Sequence, residues 1–104
     1  MTFKIGNAMG VAVYEMAVQG EVQSDALVAL AREAMHGAAV TVTDDVALRD
    51  LSAEYHGSVA SAGGTLRAEA IVTRKRGATM RVAADILSGG HRVASFEAEA
   101  LGAA

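Results

Sequence analysis

Between Ser24 and Val40 (SDALVALAREAMHGAAV) apolar residues return at steps of three and four. Leu27, Leu30, Ala31, Ala34 and Ala38 therefore share one face of a helix, with Asp25, Arg32 and His36 roughly opposite. Ser24 suits the N-cap, because its hydroxyl can accept from an otherwise unpaired first-turn amide, and Asp25 suits the positive end of the helix dipole. Past Gly37 the β-branched run Val40 to Thr43 lowers helix propensity, and Asp44 and Asp45 supply turn chemistry. Glu33 breaks the pattern. It projects near Ala26, Leu30 and Gly37, at the margin of the apolar stripe, and is the main functional clue.

The remaining pattern is that of strands. Gly10 to Gln19 sets Ala12, Tyr14, Met16 and Val18 against Val11, Val13, Glu15 and Ala17, which predicts a strand covered on both faces. Gly20 to Gln23 links it to the helix. Val46 to His56 changes phase between Leu48 and Leu51, so a β-bulge is expected near Arg49 and Asp50. Gly57 to Gly64 reads as a small-residue loop, with Gly63 and Gly64 as turn residues. Three cleaner strands follow. Leu66, Ala68, Ala70 and Val72 share one face of the first, Met80, Val82, Ala84 and Ile86 of the second, and Ala94, Phe96, Ala98 and Ala100 of the third. Short glycine-containing turns join them.

The expected order is strand, helix, then four strands as a meander: an α+β domain over residues 1–104, with about five strands curled around one long central helix. The mixed patterning of the first strand leaves apolar side chains and a backbone edge for a second copy to cover.

Composition narrows the chemistry. The net charge of -3 argues against a nucleic-acid binder relying on a general basic surface. There is no cysteine, which excludes disulfides, thiol catalysis and thiolate metal sites. With no Trp, two Phe and two Tyr, the core must be built from small aliphatic residues, and no aromatic stacking platform can be proposed. No apolar stretch reaches membrane-spanning length, and MTFKIGNAMG lacks the pattern of a signal peptide, so no membrane partner and a cytoplasmic location are expected.

The Ala-rich helix with an acid four residues before a glycine resembles the hotdog-fold acyl-CoA thioesterases of the phenylacetate-pathway and 4-hydroxybenzoyl-CoA type. In that family a segment A-L-A-(D/E)-x-x-x-G carries the catalytic acid; Leu30, Ala31, Arg32 and Glu33, then Gly37, resemble it. Downstream, DLSAEY (Asp50 to Tyr55) looks like the family's second strand, and GGTLRAEA (Gly63 to Ala70) is similar to its G-D-T-L-x-A-E-A stretch. The likeness runs from about Gly10 onward and implies a hotdog fold, a homodimer or dimer of dimers, and an acyl-CoA or acyl-carrier thioester as partner. No cofactor is implied. The family's His-Gly-Gly, whose glycine amide donates to the thioester oxygen, aligns with Ser24, Asp25 and Ala26, and the upstream asparagine-containing loop is missing.

On this resemblance Glu33 is the general base or nucleophile, and a backbone amide at Asp25 or Ala26 polarises the carbonyl. Ser24, His36 and Gly37 would line the substrate. The structural alternatives are a helix charge reaching solvent for Glu33 and an ordinary polar-face residue for His36. Arg74, Lys75 and Arg76, the only basic run, either hold the phosphates of coenzyme A or form a solvated hairpin. No histidine pair has the i, i+4 spacing of a metal site, so no metal is expected. The leading function is hydrolysis of an acyl-CoA thioester. Two alternatives stand beside it: a noncatalytic hotdog acyl-binding or assembly module, and an unrelated cystatin-like or ligand-binding cone domain. A hotdog dehydratase is disfavoured, because no paired catalytic histidine and acid can be placed.

Overall fold

A computed structural model describes residues 2–18, 24–43, 45–56 and 64–102. It contains β1 (Thr2–Ala8), β2 (Val11–Val18), α1 (Ser24–Val40), β3 (Ala47–Tyr55), β4 (Gly64–Arg76), β5 (Thr79–Ser88) and β6 (His91–Leu101). The links at 19–23 and 57–63, together with Asp44, lie outside the described residues, so the turn roles given to Gly63 and Asp44 rest on sequence alone, whereas Gly64, also expected in the turn, opens β4.

The strands form one 6-stranded sheet in the order β1-β2-β4-β5-β6-β3, antiparallel throughout. Helix α1 packs on one face against every strand, most extensively β4, β2 and β5. Its buried side is the predicted one, Leu27, Leu30, Ala31, Ala34 and Ala38, joined by Met35, Gly37 and Ala39. These meet Leu66, Ala68 and Ala70 of β4, Met80, Val82, Ala84 and Ile86 of β5, and Ala94, Phe96, Ala98 and Ala100 of β6 in one apolar cluster. The many alanines keep the helix close to the sheet, since side chains this short fill only a thin layer.

The helix continues to Val40, one turn beyond Gly37. Buried Ala38 and Ala39 extend its apolar face, so packing outweighs the weak propensity of the final residues. Thr41 closes the end, its Oγ1 donating to the Ala38 carbonyl at 2.7 Å and accepting from the Gly10 amide at 2.5 Å. Asp45 follows with φ 49, which suits the expected turn.

Two expectations are corrected. Only β4, β5 and β6 form a meander; β3 lies at the far edge, paired with β6 through Ala47↔Leu101 to Tyr55↔Ala94, while β2 pairs with β4. The helix carries the chain across the sheet between β2 and β3, and β3, largely exposed along its length, has the burial of an edge strand. The backbone edge of β2 is also not left for a second copy. It is covered by β1, a strand the pattern did not reveal, whose register shifts between Lys4 and Gly6. The bulge in β3 is where expected. The register jumps between Arg49 and Ser52, with Asp50 at φ 55, a conformation aspartate tolerates better than most residues.

Candidate active site

Helix α1 and strand β2 build the site between them. Tyr14 lies on the helix-facing side of β2 with Ala12, Met16 and Val18, half-buried against the core. A Cβ placed on Gly37 would stand 2.6 Å from the Tyr14 hydroxyl oxygen and 2.9 Å from Cε1, so the phenol tip occupies the space that a side chain would need. Gly37 is thus required for close approach. Glu33, four residues earlier, shares this edge of the helix and is exposed. Burial first, and the Glu33 charge second, push the Tyr14 phenol above its ordinary value of 10.0, so Tyr14 stays protonated at neutral pH.

The other predicted residues are spread along the helix. Ser24 and Asp25 are exposed and Ala26 is half-buried at its start, and His36 is exposed beyond Glu33. From Asp25 to Glu33 is a rise of about 12 Å at 1.5 Å per residue. The helix start and the carboxylate are therefore two turns apart within one chain.

Arg74, Lys75 and Arg76 are the last residues of β4, and Gly77 and Ala78 make the turn. Their hairpin lies at the opposite end of the helix from Ser24: the Gly102 amide donates to Ala78 O at 2.8 Å, and Gly102 also abuts Thr43, just past the helix. The basic run does not share one face of the strand. Lys75 pairs with Met80, whose side chain is buried under the sheet, whereas Arg74 pairs with outward-facing Arg81. Arg74, Arg76 and Arg81, with Thr79 and Met80, line a depression of about 260 Å³. Arg81 was not among the predicted binding residues. Its outward position was legible in the alternation of β5, but its cross-strand partner was not.

A polar cluster sits elsewhere, on the outer face of the sheet. His56 Nε2 lies 3.1 Å from Ser95 Oγ, which donates to Asp85 Oδ1 at 3.1 Å, with Glu54 and Arg92 at the margins. These contacts tie β3 to β6 and β5. Among the described residues no group of three or more His, Cys, Asp or Glu is placed to hold a metal ion, and no helix is long and apolar enough to cross a membrane.

A sheet in this order, curved around one long helix, defines the hotdog fold. The chain superposes on the E. coli PaaI protein of the phenylacetic acid degradation operon with a TM-score of 0.92 and 21% identity, over 99% of this chain and 80% of that one. A phenylacetic acid degradation protein PaaI from Thermus thermophilus matches with TM-score 0.91 and 22% identity, covering 98% and 93% of the two chains. A hypothetical thioesterase from Streptococcus pneumoniae, solved with coenzyme A, matches with TM-score 0.89 and 14% identity, covering 97% and 84%. No family model matches the sequence, and no curated protein matches it. The likeness is one of fold, and it sets aside the cystatin-like and cone alternatives.

Proposed function

We infer that this chain is a thioester hydrolase acting on an acyl-CoA or acyl-carrier substrate, with Glu33 as general base or nucleophile. The observation that carries this reading is the position of Glu33: an exposed carboxylate on the edge of the central helix, one turn before Gly37 and beside the protonated phenol of Tyr14. The fold shared with PaaI proteins, and with a hypothetical thioesterase solved with coenzyme A, supports the substrate class. Arg74 and Arg76 supply guanidinium groups for the nucleotide phosphates, beside Arg81, whose guanidinium is paired with Glu97 at 3.0 Å.

The working unit in this reading is at least a homodimer. A carbonyl hydrogen-bonded to an amide at Asp25 or Ala26 sits about 3 Å from it, whereas Glu33 is rooted about 12 Å further along the same helix. That separation favours a shared site in which the helix start comes from one chain and the carboxylate from its partner. The small residues Ala26, Ala29 and Gly37 along the Glu33 edge leave room for a second backbone or a thin ligand.

A specific observation supports the noncatalytic module as second reading. Counted strictly from Ala29-Leu30-Ala31, the acid of the thioesterase motif falls on Arg32; Glu33 comes one residue later, turned by about 100° around the helix. Asp25 also brings negative charge to the helix start. A panel of acyl-CoA esters assayed by thiol release separates the two readings. Turnover that depends on Glu33 establishes the hydrolase; tight acyl-CoA binding without turnover establishes the module.

A further inference from the structure

Gly37 is the only glycine in α1 and occupies a buried helix position, where alanine is ordinarily the better helix former. The structure gives it a local reason. The hydroxyl oxygen, Cε1 and Cζ of Tyr14 would lie 2.6, 2.9 and 3.1 Å from a Cβ there, so the phenol rests directly on the helix backbone. Among the described residues no side chain or backbone group is hydrogen-bonded to this hydroxyl. The same helix edge carries Ala26 and Ala29, both small and apolar, with exposed His36 three residues after Glu33. Tyr14 brings a hydrogen-bond donor to this margin from the sheet side.

We propose that Tyr14 is a positioning residue for Glu33: its hydroxyl, held against Gly37 one turn along the helix and without a hydrogen-bond partner among the described residues of the free chain, takes the Glu33 carboxylate as acceptor once the thioester is bound and aims it at the carbonyl. The inference rests on Glu33 being the acting carboxylate. The phenol suits the task, since burial and the neighbouring negative charge both keep it in the proton-bearing form that can donate. Gly37 has a matching part, because its missing side chain lets the phenol reach the edge at all.

The test uses the full chain and four variants: Glu33→Gln, Tyr14→Phe, Gly37→Ala and the double variant of Tyr14 and Gly37. Tyr14→Phe keeps the ring and removes only the oxygen; Gly37→Ala keeps the phenol and pushes its tip aside. Each should lower kcat about tenfold with KM nearly unchanged, the size expected for one hydrogen bond to a charged group. The double variant should be no slower than the slower single one, because both remove the same contact. A residue serving only to pack the core would leave kcat untouched in Tyr14→Phe. Wild-type kcat in that variant, alongside an inactive Glu33→Gln, overturns the role of Tyr14 and leaves the Glu33 reading standing. Full activity in Glu33→Gln, or no turnover by the wild-type chain on any ester, overturns both.

Discussion

The hydroxyl oxygen of Tyr14 stands 2.6 Å from where a Cβ of residue 37 would be, so the phenol of strand β2 rests against the backbone of helix α1 one turn past Glu33. The obstacle is the far end of one side chain, which can swing away, so Gly37→Ala should fold. Its gain in helix propensity, about 1 kcal/mol at most, is set against the displaced phenol. A net stability change within about 1 kcal/mol is expected. Gly37→Leu has no such escape and should lose about 1–3 kcal/mol through overpacking. Urea unfolding of the two variants checks both numbers, and equal losses would mean that the contact is not the constraint.

The raised phenol of Tyr14 makes a signed prediction for alkaline pH. A group harder to deprotonate in the folded chain than in the unfolded one contributes stability that is complete below its ordinary value of 10.0 and is lost as pH rises through the folded value. Tyr14→Phe lacks that dependence. Melting curves on either side of pH 10 should show the wild-type chain losing more stability than the variant. Parallel losses would show that Tyr14 is not perturbed by folding.

Charge removal at the end of β4 should divide by strand face. Neutralising Arg74, Arg76 and Arg81 together is expected to raise KM for acyl-CoA while leaving KM for a short acyl thioester without the nucleotide nearly unchanged. Lys75→Ala should do little to either, since Lys75 does not line the depression shared by the arginines. Steady-state kinetics on the two substrates decides this; equal effects on both would discard the phosphate role.

Much of this architecture was legible because its causes are periodic. One helical stripe and three alternating strands name the residues that fill the core, and a phase change between Leu48 and Leu51 locates the bulge at Asp50. Period, however, says nothing about partners. A strand alternates in the same way beside β4 or beside β6, so the transfer of β3 to the far edge could not be read. Strand β1 was hidden by its own composition, in which Gly6 and Asn7 are poor strand formers and the register slips between Lys4 and Gly6. At the site, the position of Glu33 on the helix margin followed from spacing. The meeting of Tyr14 with Gly37 did not, because it joins two elements whose separation depends on how thin the alanine layer between helix and sheet is.

The distance between the helix start and Glu33 bears on the size of the working particle. Light scattering over a concentration series should give at least twice the chain mass of 10.6 kDa at micromolar protein. A particle of one chain mass throughout would remove the shared site.

Whether the Glu33 carboxylate drives thioester hydrolysis is decided by the rate of thiol release from an acyl-CoA ester, compared between the wild-type chain and Glu33→Gln. The substitution removes the charge and keeps the shape of a side chain that is exposed, so the melting temperature should hold. A fall in kcat of about 10²–10⁴ is expected, the range for loss of a general base. A Glu33→Gln enzyme that hydrolyses the ester at the wild-type rate would contradict it.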